Sequence, residues 1–534
     1  MRRRSTYVTH PSRAVNPDDI QVRQNQLLLG ALKAAREERL TLGLEELPTE
    51  IADYLRECHE LHVRWAPELP YNTTAPFLSR ISPGLHVQYT PLQEDQDDRL
   101  CDLLHKIFGK QLRCESAGTT FISPPLISER FAQTSSLQYY SLLPSIKHLV
   151  AYIYHSACTP NDLQCLHTAS LLNIADAVDF DYDSISHALT LTVFWSKQPA
   201  VFYDPIGDFT TLDAWNLDVQ SRKDDRVEVG IFSASPAPEP SDLQLSGFLT
   251  VVGEDNHPKA TLFSFPSRHH TFGPDQAKFQ RYSVSFDEPT GLHPTLRISF
   301  PSAVSLTEPK NKPPGSICAL QTYLTLPSHI FADKYAFLSN DPLFQKLHHL
   351  GQLHSIAGET DLEAPNYVVS KWGLTMLLEI QTPNGSVGEP KAASGAWDVT
   401  IPLHLRYLEP KNGSSSEIEI PWPVVFWACT ADDGTKFPVN PFDRIHLGFE
   451  GLFGPRTMFY HLDPATAEGA APARLVERIS VPVLDLNAAS PSTIESLTII
   501  TIALGFLWVL LKLKPWFTAR STRDKQASGI KKMQ

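Results

Sequence analysis

The chain has 534 residues, a formal net charge of −13 and 42% hydrophobic residues. That length calls for two or three domains with real cores. The acidic balance excludes a nucleic-acid surface, which needs a basic face, and 43 prolines between short apolar runs point to a β-rich body with many turns.

The first residues, MRRRSTYVTHPSRAVNPDD, are basic with no apolar run behind them, so they do not read as a cleavable signal peptide. Residues 39–44 alternate as a strand, and Pro48–Cys58 has the helical spacing of Ile51, Tyr54 and Leu55. His59–Trp65 and Leu85–Tyr89 read as strands. Asp95–Phe108 carries Leu100, Leu103, Leu104 and Ile107 on one face, with carboxylates at its positive end, and predicts an amphipathic helix. A second helix is expected within Leu143–Ala157 and a hairpin over Ala177–Trp195. The predicted N-terminal domain, residues 1–232, is therefore mixed α+β. Residues 233–241 (SASPAPEPS) read as a linker. Strands then recur at 248–252, 282–286, 296–300, 320–326, 376–380, 399–407, 418–420, 424–429, 458–461 and 475–484. Residues 242–490 are expected to form a β-sandwich-like domain.

Ile494–Leu513 (IESLTIITIALGFLWVLLKL) is long and apolar enough for one membrane-spanning helix; the bland alternative is a buried core helix. Glu495 and Lys512 sit at its ends, and Trp508 and Trp516 near its far end. Residues 514–534 form a basic tail. From Lys512 on, seven basic residues face only Asp524, so this end carries +6 and the residues before it −19. The positive-inside rule puts the tail in the cytosol and the body in a lumen. Lys531 and Lys532, four and three residues from the end, have the dilysine form of a retrieval signal to the endoplasmic reticulum. Three acceptor sequons, at Asn72, Asn384 and Asn412, agree with a lumenal body, and the last two carry Asn-Gly turns. The opposite topology, a cytosolic body with a C-terminal anchor, explains a missing signal peptide but strands the tail in the lumen. Seven cysteines without a CxxC pair leave buried thiols and scattered disulfides both open, and the odd number leaves at least one outside any internal pair.

Catalytic signatures are few. Asp179-Phe180-Asp181-Tyr182-Asp183 holds two overlapping DxD patterns, which in many glycosyltransferases bind a divalent metal against a nucleotide sugar; the plain alternative is an acidic strand end and turn. His59-Glu60-Leu61-His62 is HExH and lacks the i, i+4 histidines of a zincin. His348, His349 and His354 read as surface histidines, and His269-His270 as a polar turn. There is no GxSxG, Walker loop or GxGxxG. No cofactor or metal site is expected.

Several stretches together resemble the PIG-X family, the accessory subunit of glycosylphosphatidylinositol mannosyltransferase I. They are Thr322–Tyr335 (TYLTLPSHIFADKY), Asp361–Pro365 (DLEAP), Pro402–Tyr407 (PLHLRY) with Pro410, Pro421–Cys429 (PWPVVFWAC), and the single span. The stretches 36–44, Ser82–His86 (SPGLH), Tyr182–His187 (YDSISH), Phe265–His270 (FPSRHH) and Asn440–Arg444 (NPFDR) resemble the long fungal members. The resemblance implies a single-pass protein of the endoplasmic reticulum membrane with a lumenal body and cytosolic C-terminus. It implies a non-catalytic subunit that stabilises a multi-spanning PIG-M-like mannosyltransferase adding the first mannose of the GPI anchor. It also implies a chaperone-like part in the folding or stability of other proteins of that compartment. Membrane lipid is the other expected contact. A general lumenal chaperone and a metal-dependent glycosyltransferase are the competing readings. Leu403, Leu405 and Tyr407 are expected on one strand face with His404 and Arg406 opposite, and Arg406, Asp361 and Glu363 are expected to support fold or subunit contact.

Overall fold

The computed structural model describes residues 1–534 except 14, 93–98, 126–135, 160, 198–213, 223, 238, 240–241, 289, 303–305, 340, 384–394, 432–439, 441, 466–473, 488–489 and 531–534. Thirteen strands come first: β1 (Arg2–Thr9), β2 (Gln21–Arg23), β3 (Gln26–Leu32), β4 (Ala34–Gly43), β5 (Cys58–Ala66), β6 (Gly84–Pro91) and β7 (Leu137–Ser141). They continue with β8 (Ala177–Asp183), β9 (Ala188–Trp195), β10 (Trp215–Gln220), β11 (Arg226–Ser235), β12 (Asp242–Val252) and β13 (Lys259–Pro266). Ten of them form one sheet in the order β13-β12-β11-β1-β4-β9-β8-β5-β6-β7; β10, β3 and β2 form a second. Helices α1 (Thr49–Leu55), α2 (Leu100–Phe108), α3 (Ala117–Thr120), α4 (Lys147–Ser156) and α5 (Leu163–Leu171) lie among them in sequence. In α2, Leu100, Leu104 and Phe108 recur at helical spacing and are buried, as the sequence predicts.

The next strands are β14 (His269–His270), β15 (Arg281–Phe286), β16 (Thr295–Phe300), β17 (Ile317–Pro327), β18 (Ile330–Phe331), β19 (Leu350–Gly358) and β20 (Gly373–Ile380). The last are β21 (Trp397–Pro402), β22 (His404–Leu405), β23 (Ser415–Pro421), β24 (Val424–Thr430), β25 (Thr457–His461), β26 (Asp463–Pro464) and β27 (Val476–Pro482). A six-stranded sheet runs β14-β25-β24-β17-β20-β19, and a four-stranded one β21-β16-β15-β26. β18 pairs with β22, and β23 with β27. The remaining helices are α6 (Pro274–Ala277), α7 (Lys334–Leu338), α8 (Pro342–His348) and α9 (Pro491–Ile530). The chain is thus α+β to mainly β, with one long apolar C-terminal helix.

The expected division at 233–241 is not where the chain divides. β11 and β12 pair across that stretch from Val227↔Val252 to Ser235↔Gln244, so it is the turn of a hairpin inside the large sheet. One core then joins both parts. Phe232 and Leu245 from the ten-stranded sheet pack in a cluster with Tyr323, Leu377, Phe426 and Phe459 from the six-stranded one. A shared apolar core cannot be cut without exposing it, which is why the break lies elsewhere. One unit is Met1–Arg406 with Ile418–Ile479; the other is Tyr407–Glu417 with Ser480–Gln534.

The N-terminal residues are a second departure. Arg2–Thr9 form a central strand, parallel to β11 and antiparallel to β4. Its basic residues are neutralised from β4. Arg3 ion-pairs with Glu38, Ser5 donates to Glu38 at 2.9 Å, and Arg36 donates to Glu38 at 2.8 Å. Burial by itself would raise the Glu38 pKa; the Arg36 and Arg3 charges hold it below the usual carboxylate value.

In the second unit, residues 407–417 and 480–487 are tied by Lys411 N to Leu484 O (3.2 Å) and Val483 N to Ser414 O (3.0 Å). The segment Pro491–Pro515 of α9 is apolar over 25 residues and none of it is buried. At about 1.5 Å per residue it exceeds the ~30 Å of a hydrocarbon core.

Candidate functional site

The DxD carboxylates lie on β8, where strand alternation puts Asp179, Asp181 and Asp183 on one face. Each is engaged. Arg444 donates to both oxygens of buried Asp179, at 2.8 and 2.9 Å. Asp181 ion-pairs with buried Arg64 and lies 2.8 Å from His62 Nδ1. Burial works against its negative charge, yet Arg64 and His62 hold its pKa well below the usual range. Asp183 accepts from the backbone N–H groups of Ile185 and Ser186, at 2.9 and 2.8 Å, and so shapes its own turn. Among the described residues no group of three or more His, Cys, Asp or Glu is gathered to hold a metal ion.

These pairs are one end of a buried polar seam between the two large sheets. The segment 440–450 threads it. Arg444 also donates to Ser79 O (3.0 Å), and Arg64 Nε donates to Ile445 O (2.9 Å). The His446 ring stacks on His62 with centroids 3.5 Å apart. Asp443 accepts from Ser267 Oγ at 3.0 Å, and Glu450 accepts from His269 Nε2 at 2.6 Å. Burial pushes Asp443 up to about 6; Glu450 is held down to about 2, burial notwithstanding, by His269. The stretches SPGLH, FPSRHH and NPFDR converge here, with the start of YDSISH alongside. His86 Nε2 lies 2.7 Å from Ser82 O, and His270 Nε2 lies 2.7 Å from Ser267 O. Sequence reading missed Arg64, Glu450 and His446; each sits in an ordinary-looking run, and no spacing rule flags a charge whose partner is over a hundred residues away.

The other quoted stretches build a second feature. Arg406, 2% exposed, donates from Nη1 to Asp361 O and Ala364 O, both at 2.7 Å, and its guanidinium lies 4.1 Å from the Phe331 ring centroid. Asp361 Oδ1 accepts from Glu363 N (2.8 Å) and Ala364 N (3.2 Å). Arg406 therefore shapes the DLEAP loop. The expected alternation over 403–407 breaks here: Leu403 and Leu405 are buried, but Tyr407 is 66% exposed and Arg406 is inside. β21 ends at Pro402, and β22 pairs with β18 instead, which turns the chain.

The remaining histidines have structural partners. His59 Nδ1 lies 2.8 Å from Ser184 Oγ, and His348 Nδ1 lies 2.8 Å from Thr400 Oγ1. His349 stacks on Trp397, and His354 on β19 is 3.4 Å from Glu379. Asn72 and Asn412 are exposed; Asn384, Lys531 and Lys532 lie outside the described residues. Three disulfides form, Cys101–Cys114, Cys158–Cys165 and Cys318–Cys429, and Cys58 is a buried thiol that burial pushes up to about 12.

One pocket of about 260 Å³ opens beside the seam, lined among others by Asn72, Ala75, Leu78, His269, Phe272 and His461. His461 has no hydrogen-bond partner at either ring nitrogen, and His269 has none at Nδ1. Burial, with His269 and Arg80 nearby, holds His461 well below its usual pKa, so its ring is neutral.

Residues 289–514 match the family model described as PIG-X / PBN1. The chain is similar to "Protein pbn1" of Emericella nidulans, 47% identical over 96% of this chain and 95% of the relative. Its identity to the protein of the same name from Aspergillus oryzae is 45%, over 100% and 99% of the two chains. For that from Neurospora crassa it is 37%, over 96% and 95%.

Proposed function

The chain belongs to the PIG-X / PBN1 family, and from that we propose that it is a non-catalytic, stabilising subunit of the endoplasmic reticulum mannosyltransferase that adds the first mannose of the GPI anchor. Its partner is a multi-spanning catalytic subunit of PIG-M type. A transferase that uses a polyprenyl-linked donor needs an active site in the membrane, and one span supplies no such site. The observation that carries the reading is the fate of the DxD run: Asp179, Asp181 and Asp183 are each committed to an arginine pair or a turn. The seam they belong to ties the two sheets together, which suits a scaffold.

The body is assigned to the lumen and the basic tail to the cytosol. The charge difference across α9 supports this. So do three disulfides, which persist in an oxidising compartment, and the exposed sequons at Asn72 and Asn412. The test is extraction of the tagged protein from fungal membranes in detergent, with and without endoglycosidase. A mobility shift that disappears in the Asn72→Gln, Asn384→Gln, Asn412→Gln variant, with the mannosyltransferase copurifying, is the expected result. Digestion of the body by protease in sealed microsomes would refute it.

A further inference from the structure

The pocket beside the seam has features that its part in holding the sheets together does not explain. One wall is the turn 72–79, closed by Thr74 N to Leu78 O at 3.1 Å and Leu78 N to Thr74 O at 2.8 Å. Arg80 anchors that wall: its Nη2 donates to Tyr71 O and to Asp463 Oδ1, both at 3.0 Å. The opposite wall is β14 and β25, in parallel register His269↔Phe459 and His270↔Tyr460. The His269 and His461 rings are nearly parallel, with centroids 5.7 Å apart. Glu450 takes His269 Nε2, which leaves His269 Nδ1 and both His461 nitrogens unpartnered in a ring pair otherwise sealed from water. His269 is 1% exposed. Buried polar nitrogens without partners cost free energy, so the pocket wants an occupant with both donor and acceptor groups. Ala75, Leu78, Phe272 and Ala277 supply apolar surface for the rest of it. At about 260 Å³ the space is below the ~300–1,000 Å³ typical of drug-sized ligands and suits a single sugar ring.

The source of that sugar is on the wall itself. Asn72 lines the pocket, is exposed, and heads Asn72-Thr73-Thr74, an acceptor sequon. We infer that Asn72 carries an N-linked glycan whose first N-acetylhexosamine seats in this pocket, its hydroxyl and acetamido groups meeting the free imidazole nitrogens. This rests on the lumenal reading above. The tethered sugar fills the pocket at an effective concentration that no free sugar matches. The glycan thereby becomes a structural part of the body where the 72–79 turn meets β14 and β25.

The experiment uses the full chain purified in detergent from fungal microsomes. Glycopeptide mass spectrometry reads occupancy at Asn72. One portion is treated natively with an endoglycosidase that leaves the first sugar, another with an amidase that removes the whole glycan. The expected result is an occupied Asn72, unchanged thermal unfolding after the endoglycosidase, and unfolding several degrees lower after the amidase. The amidase should also act on Asn72 far more slowly in the folded protein than in the denatured one. His461→Phe keeps the ring and removes its nitrogens, and should make the glycan readily removable. An empty Asn72 overturns the inference, and so does a glycan cut equally fast in both states with no thermal shift. Protease protection of the body in sealed microsomes is scored separately: a protected body with an empty Asn72 sinks only the docked sugar, whereas a digested body sinks the lumenal reading as well.

Discussion

At the scale of single residues, the seam is a set of buried charges whose value lies in being paired. Asp179 and Arg444 sit at 4% and 5% exposure and satisfy each other bidentately. Removing one partner strands the other. Asp179→Asn or Arg444→Met is expected to cost about 3–5 kcal/mol, read from urea unfolding, whereas the double replacement costs less than the sum. If the DxD run were catalytic, Asp181→Asn with Asp183→Asn would abolish mannosyl transfer per mole of complex; we expect it unchanged. The histidines give the body an acid sensitivity. Burial lowers His86 and His329 to about 4 and His446 to about 3, and His461 also lies well below its ordinary value. Between about pH 6.5 and 4 the unfolded chain takes up protons that these folded sites refuse, so acidification in that window lowers stability. Two groups oppose this. Asp443, raised to about 6, keeps its proton better in the fold, and His62 is raised by Asp181 and Glu60 although burial works against it. Four against two, the urea midpoint should fall from pH 7 to pH 5; a flat or rising profile would contradict the assignment.

At the scale of elements, β1 shows what the sequence hid. Its pattern reads as a basic tail because alternation of apolar and polar residues is the ordinary strand signal, and here arginines take inward places with glutamates from β4 as partners. Charge pairs 30 residues apart are invisible to a local rule. By contrast β10 is open to it: Trp215, Leu217 and Val219 are buried and their neighbours exposed. The same holds for β16 and α2, and for most strands of the second half. The seam was half legible. FPSRHH and NPFDR drew attention as motifs, but only the fold shows that Asp443 and Ser267 meet. The cost of losing β1 follows from its central place: Tyr7, 2% exposed and edge-on to Trp215, should destabilise the body by about 3–5 kcal/mol when changed to Ala. Helices α7 and α8 lie at the other extreme. Phe337 and Phe344 pack together, while Tyr335, Leu343 and Leu347 are 63%, 73% and 70% exposed. Within the stretch that matches the family model, this face is the expected contact for the catalytic subunit. Leu343→Asp with Leu347→Asp should abolish copurification and leave the unfolding midpoint where it was.

For the whole molecule, one apolar helix of 25 residues separates an acidic body from a basic end. Ending the chain at residue 490 should release a soluble, oxidised body into the lumen, recovered without detergent. Lys531→Ser with Lys532→Ser should let the full protein leave the endoplasmic reticulum and acquire later glycan trimming, seen as altered endoglycosidase sensitivity. The order of the large sheet has a consequence for how this body is made. β1 is among the first segments synthesised, yet one of its two neighbours, β11, begins at Arg226. At roughly 5–20 residues per second, synthesis of the intervening chain takes on the order of 10–40 s. Through that interval the growing chain offers β4 a partner on one side only, with Arg2–Thr9 open along the edge that β11 will later close. Helpers that shield unpaired strand edges would find their substrate there, in a nascent chain a little over two hundred residues long.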